Sequence, residues 1–137
     1  MSRYLLSCVY DDQELYVNKI DEITRNAMLK QGIAYELFKY TSTEEFLYDL
    51  SEDNKFDIYL IDVELKTTSG LEVARQIREK YYDSVIIYVT NYIEYAVAGY
   101  EVNAYRYIPK NILEEKLPEA YAAVYVNIEN RRKNFYI

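Results

Sequence analysis

Apolar and polar positions along the chain fall into two alternating registers. Short, near-continuous apolar runs occur at Tyr4–Tyr10, Ile33–Lys39, Phe56–Ile61, Val85–Val89 and Ala104–Ile108. Such runs, without strict alternation, predict strands covered on both faces. Between them the apolar spacing becomes helical. Tyr16, Ile20, Ile23 and Ala27 lie on one face and predict a helix from about Gln13 to Lys30, ended by Gln31-Gly32. Thr43 with Glu44-Glu45 opens a short helix to about Leu50. Leu71, Ala74, Ile77 and Tyr81 predict a third, and a short fourth helix runs from about Tyr92 to near Gly99. Leu117, Ala120, Val124 and Ile128 carry a last helix, with Pro118 near its start, where a missing amide hydrogen is tolerated.

Strands alternating with helices imply a parallel sheet with right-handed crossovers. Five such units predict an α/β fold: a flavodoxin-like, doubly wound five-stranded parallel sheet of order 2-1-3-4-5, with helices on both faces. Open sheets of this kind place ligands beyond the carboxyl ends of the strands, at the switch point between strands one and three. The first run ends in Asp11-Asp12 and the third in Asp62, with Gly70 eight residues further on. The fourth ends in Thr90, and the fifth leads through Tyr107 to Lys110. Four strand ends thus deliver three carboxylates, a hydroxyl and an amine.

Composition narrows the chemistry. At 137 residues, half of them hydrophobic, the chain is one domain's worth and can fill a core. No apolar stretch approaches the length of a membrane-spanning helix, and the N-terminus does not read as a signal peptide. The single cysteine, Cys8, lies in the first run and reads as a small core hydrophobe in a reducing, cytoplasmic setting. A net charge of −7 disfavours nucleic-acid binding by this segment. The chain has no histidine, which removes His-ligated zinc and Ser-His-Asp catalysis. Residues 1–130 read as the domain. Asn130-Arg131-Arg132-Lys133 closes the last helix, where basic residues suit the helix dipole. Residues 131–137, ending in Asn134-Phe135-Tyr136-Ile137, read either as a frayed tail or linker, or as the start of a truncated C-terminal domain.

Two carboxylates about 4 Å apart repel by roughly 4 kcal/mol at an effective dielectric near 20. Three of them converge only if one stays protonated or a cation binds. All-oxygen ligation suits Mg²⁺, with Asp12 and Asp62 as direct ligands and Asp11 acting through a water. A carboxylate can attack phosphorus and form an aspartyl phosphate, a reaction that needs mainly positioning and charge neutralisation. Lys110 offers an ammonium to the phosphoryl group, and Thr90 a hydroxyl. Movement of Thr90 toward phosphate would vacate space for Tyr107 to turn inward. Each residue alone has a structural reading: helix capping for Asp11-Asp12, a solvated loop acid, a β-branched strand residue, a surface lysine. Their shared position at one end of successive strands favours the functional one.

Asp11-Asp12, Asp62, Gly70, Thr90, Tyr107 and Lys110, in that order, resemble the receiver domains of two-component response regulators, over essentially the whole chain to about residue 128. The resemblance implies that Asp11 and Asp12 bind Mg²⁺ and that a sensor histidine kinase phosphorylates Asp62. It implies that Thr90 and Tyr107 form the switch, that Lys110 contacts phosphate, and that the backbone carbonyl of Glu64 is a metal ligand. Such a domain is a phospho-acceptor, not an enzyme beyond its own phosphoryl transfer and dephosphorylation. The stretch from Tyr92 to Ile108 is similar to receivers of LytTR-type transcriptional regulators, in which a mostly β DNA-binding domain follows. DNA would then be contacted only through a C-terminal domain absent from this chain. Seven of the eighteen tyrosines lie between Tyr92 and Tyr125. They fall on the face of the fourth helix, fifth strand and last helix, through which the resembling receivers form homodimers; a general compositional bias accounts for them equally well. Asn111 stands where most receivers have proline after the lysine, and a cis bond before a non-proline residue costs about 2.5–4 kcal/mol, so the peptide is either trans or strained. Leu65-Lys66 replaces the usual Met-Pro. These departures keep open a receiver-like binding module that works without phosphate. Asp62-Val63-Glu64 also admits a small aspartyl-phosphate phosphatase of the haloacid-dehalogenase type, although the chain is too short for that family's cap.

Overall fold

A computed structural model describes residues 4–66, 68–91 and 102–135. The described elements are β1 (Tyr4–Tyr10), α1 (Glu14–Gln31), β2 (Ala34–Tyr40), α2 (Thr43–Ser51), β3 (Ile58–Ile61), α3 (Gly70–Lys80), β4 (Val85–Thr90), β5 (Arg106–Pro109) and α4 (Leu113–Phe135). A single 3₁₀ turn, Lys110–Ile112, joins β5 to α4. The strands pair in parallel in the order β2-β1-β3-β4-β5, as the alternating pattern predicts.

Period-two alternation divides the central strands between two cores. Ile58, Leu60, Ile87 and Val89 face one layer, where they meet Val17 and Ile20 of α1 and Leu117, Ala120 and Val124 of α4. Tyr59, Ile61, Ile86 and Tyr88 face the other, against Phe46 of α2 and Val73, Ala74 and Ile77 of α3. Cys8 is fully buried in that second layer, a free thiol packed as a hydrophobe. Helix boundaries follow local chemistry. Gly32 ends α1 at φ 66°, where its amide reaches back to Leu29 and Met28. Ser42 and Ser69 cap α2 and α3 by accepting from the amides of Glu45 and Leu71.

Four details differ from the sequence reading. β3 starts at Ile58 rather than Phe56, because the side chain of Asp57 accepts from the Leu6 amide where the ladder would otherwise extend. β5 is shorter than the run Ala104–Ile108 and ends one residue later, at Pro109, whose fixed φ of −63° turns the chain into the 3₁₀ segment. Pro118 is not near the helix start: α4 begins at Leu113, so Pro118 is its sixth residue and leaves the Glu114 carbonyl without its usual intrahelical donor. α4 runs through Phe135, so it crosses the 130/131 boundary and continues beyond Lys133. The helix predicted over 92–99 lies outside the described residues, as do Tyr136 and Ile137. Among the described residues no helix is long and apolar enough to cross a membrane.

Candidate functional site

Parallel register brings the acids together. Tyr10 pairs with Ile61 at the ends of β1 and β3, so the next residues, Asp11 and Asp62, leave adjacent strands side by side. The Asp62 amide still donates to the Tyr10 carbonyl at 3.1 Å, and the Asp11 amide to Tyr40 at 3.1 Å, which holds both backbones at the sheet rim. On the other side Thr90 pairs with Pro109, the residue before Lys110. The lysine therefore starts one strand beyond β4, and its long stem reaches back over the notch. Its Nζ lies 2.8 Å from Asp11 Oδ2 and 3.0 Å from Asp62 Oδ2.

All three groups are almost withdrawn from solvent: Asp11 is 1%, Asp62 3% and Lys110 4% exposed. The surface-lysine and solvated-acid readings are therefore wrong for Lys110 and Asp62. Backbone amides aim the carboxylates. Gln13 donates to Asp11 Oδ1 at 2.9 Å, Glu64 to Asp62 Oδ1 at 3.2 Å, and Lys66 to Asp12 Oδ2 at 2.6 Å. The first two are local turns in which an Asp side chain takes the amide two residues on. Burial pushes the Asp62 carboxyl up, the neighbouring Asp11 charge adds to this, and Lys110 and the Glu64 amide pull it back only in part. Burial likewise raises Asp11 against the opposing pull of Lys110 and the Gln13 amide. For Lys110 burial acts downward, but the bonds and charges of Asp11 and Asp62 outweigh it and hold the ammonium above its ordinary range.

Gly70 is needed by this arrangement. A Cβ at that position would lie 2.0 Å from the Asp62 carbonyl oxygen and 2.7 Å from the Val63 Cα. The Gly70 amide donates to Val63 at 2.7 Å, and a bridge between Glu64 and Ser69 closes the loop. The loop after the acid is thus folded tightly back on it, which only a residue without a side chain permits.

One carboxylate oxygen from each of Asp11, Asp12 and Asp62 lies within 4.8 Å of the others. An all-oxygen set with three negative charges against one ammonium fits a hard divalent cation such as Mg²⁺. The structure therefore brings Asp11, Asp12, Asp62 and Lys110 into one notch. Thr90 is fully buried at the end of β4. Tyr107 is half-buried, paired across β4–β5 with Tyr88 and packed on the α2/α3 layer. The side chain of Glu64 is exposed while its amide serves Asp62. No described peptide is cis, so Lys110–Asn111 is trans.

Tyr16 and the backbone amides that serve the carboxylates escaped the sequence reading. Tyr16, taken there as a core-face residue, presents its ring to Lys110 Nζ, 3.9 Å from the centroid. Its position in the first turn of α1, four residues after Asp12, is the signal that could have found it. Lys66 appeared in the sequence only as a departure from the usual Met-Pro, whereas its backbone amide reaches Asp12.

The chain matches the response regulator receiver domain family over residues 8–122. Among curated relatives it is 30% identical over 112 residues to the sensory transduction protein LytR of Staphylococcus epidermidis, covering 82% of this chain and 42% of that one. It is 29% identical over 75 residues to the sensory transduction protein LytT of Bacillus subtilis, covering 55% and 31%. The chain thus spans less than half the length of these relatives. Among solved structures it resembles the response regulator TrrA of Thermotoga maritima in complex with Mg²⁺–BeF, at 28% identity and TM-score 0.68, covering 90% of this chain and 99% of that one. The regulatory domain of mrkE from Klebsiella pneumoniae shares the fold at TM-score 0.81 and 19% identity, covering 92% and 99%. With a family match across most of its length and the acids and lysine at one sheet edge, this chain belongs to the response-regulator receiver domains.

Proposed function

We propose that Asp62 accepts a phosphoryl group from a sensor histidine kinase in a Mg²⁺-dependent reaction, and that the modified domain controls a C-terminal, DNA-binding output domain. The observation that carries the reading is the Lys110 ammonium held between Asp11 and Asp62 in a buried notch, with Asp12 completing the acid cluster. An Asp62 oxygen forms the bond to phosphorus as the bond to the donor's leaving group breaks. Lys110 offsets part of the cost of ionising that buried carboxylate and then faces the phosphoryl oxygens. The Glu64 amide holds the carboxylate plane, so the attacking oxygen is presented without a search over rotamers. Mg²⁺, when held by Asp12, Asp62 and the Glu64 carbonyl, with Asp11 acting through a water, supplies charge neutralisation to the phosphoryl oxygens. Thr90, buried at the end of β4, is the hydroxyl that responds to phosphate, and Tyr107 follows by changing how far it turns into the α2/α3 layer. We assign homodimer formation to the face of β5 and α4, with which the sequence groups the segment 92–99 that lies outside the described residues. A cytoplasmic location is consistent with this role.

Incubation with a small-molecule phosphodonor, followed by mass spectrometry of the modified site, tests the assignment. One acid-labile phosphoryl group on Asp62 is expected, only with Mg²⁺ present, and none on Asp62→Asn. Undiminished labelling of that variant would refute it.

A further inference from the structure

We propose that Tyr16 is a positioning residue for Lys110, its ring forming a third wall around the ammonium. The inference rests on the reading that Lys110 serves the phosphoryl group. The ammonium touches Asp11 Oδ2 at 2.8 Å and Asp62 Oδ2 at 3.0 Å, and the Tyr16 ring also faces it, 3.9 Å from the centroid. Cations within about 6 Å of an aromatic centroid are attracted by the ring quadrupole, the more so when desolvated. With Lys110 only 4% exposed, this one is desolvated. The ring attracts over a broad range of angles, so it restrains the charge without dictating a hydrogen-bond direction.

The backbone gives a reason for the wall. Pro109 stiffens the chain before Lys110, at φ −63°. After Lys110 comes a trans peptide to Asn111, where the resembling receivers place a proline, and then a single 3₁₀ turn. The carboxyl side of the lysine therefore lacks a ring constraint, and a flexible four-carbon stem carries the charge. Tyr16 supplies the constraint from the other end of the side chain. It is itself well anchored. Its amide bonds the Gln13 carbonyl at 3.0 Å, and its ring packs against the α1/α4 core. The same Gln13 supplies the amide that orients Asp11. The start of α1, from its N-cap Gln13 to Tyr16, thus sets the direction of both an acid and, through the ring, the ammonium of the notch.

Three proteins decide the matter: wild type, Tyr16→Phe and Tyr16→Leu, each checked for native circular dichroism. Leucine keeps apolar packing but has no π face; phenylalanine keeps the face and loses the hydroxyl. The first readout needs no phosphate. Proton NMR should show the Lys110 ε-methylene shifted upfield by the ring current in wild type and Tyr16→Phe, and at an ordinary position in Tyr16→Leu. The second is the initial rate of Mg²⁺-dependent labelling by acetyl phosphate, expected to be retained in Tyr16→Phe and to fall about five- to tenfold in Tyr16→Leu. A Tyr16→Leu protein that labels at the wild-type rate, or a Tyr16→Phe protein as slow as the leucine variant, overturns the proposal. Failure of wild type to label at all would sink the phospho-acceptor reading instead, and the NMR comparison would still decide whether the ring holds the lysine.

Discussion

Lys110 sits in contact with two buried carboxylates, so its removal leaves like charges facing each other without the ammonium between them. Breaking a buried ion pair from one side costs about 3–5 kcal/mol. Lys110→Ala is expected to lose that much in urea unfolding, and adding Asp62→Asn to it should restore part of the loss by removing one of the two stranded charges. A double variant no more stable than the single one would show that the charges are not coupled. Gly70 is the second sensitive position. Its replacement by alanine would drive a methyl group into the Asp62 carbonyl at 2.0 Å, and backbone cannot yield as a side-chain tip can. Gly70→Ala should lose about 3 kcal/mol of stability, and phosphodonor labelling should fall with it because the displaced atoms belong to Asp62 itself.

Elements communicate here through a single side chain as well as through packing. Arg78, near the end of α3, donates to the carbonyls of Tyr82 at 2.6 Å, Ser84 at 2.7 Å and Val102 at 2.6 Å. Longer bonds reach Tyr81 and Asn103, both at 3.3 Å. The guanidinium thus ties the end of α3 and the approach to β4 to the segment that enters β5, where Asn103 adopts a left-handed φ of 54°. Hydrogen bonds from a charged donor are worth about 1.5–3 kcal/mol each, and the stranded carbonyls lose them together. Arg78→Ala should lower the unfolding free energy by about 3 kcal/mol and speed hydrogen exchange at the start of β5. Lysine should not rescue it, since three rotatable donors on a point charge cannot span a planar fork.

At the scale of the whole molecule, charge and tyrosine burial set the response to ions and pH. The notch carries three acids and one ammonium, formally −3 + 1 = −2, in a chain of net charge −7. A divalent ion binding only the folded state stabilises it by about 2.7 kcal/mol at a hundredfold excess over its dissociation constant. Mg²⁺ should therefore raise the thermal midpoint of wild type, and Asp12→Asn should weaken the response. At high pH the tyrosines dominate. Burial lifts Tyr121 from its ordinary 10.0 to about 12, against the opposing bonds from Ser7 and Thr24. Burial also raises Tyr59 and Tyr40, for Tyr40 with the charge of Asp49 adding to it. A phenol whose folded pKa exceeds its unfolded one contributes stability that is intact below pH 10 and lost as pH rises toward 12, because the unfolded chain releases the proton first. Stability should decline across that window, and Tyr121→Phe should decline by about 1.4 kcal/mol per pH unit less.

The order of apolar runs and helical faces determined the sheet. Five covered strands separated by crossovers have few right-handed arrangements, and the same pattern alone puts Asp11, Asp12, Asp62, Thr90 and Lys110 at one sheet edge. Cys8 as a core thiol was legible in the same way, from its position within a run; that position 70 must be glycine was not, because the close approach of the Asp62 carbonyl appears only in the folded loop. What the linear order could not convey is which atoms meet. That Lys110 is buried between two acids depends on the registers Tyr10–Ile61 and Thr90–Pro109. That Gln13, Glu64 and Lys66 serve the carboxylates depends on their amides, which every residue possesses and no side-chain pattern reveals. Tyr16 carries an apolar periodicity that satisfies the core and a ring face that satisfies a cation. Only the packing of α1 against the rim of the sheet decided that it does both, because burial and cation attraction ask for the same residue type and differ only in where it points.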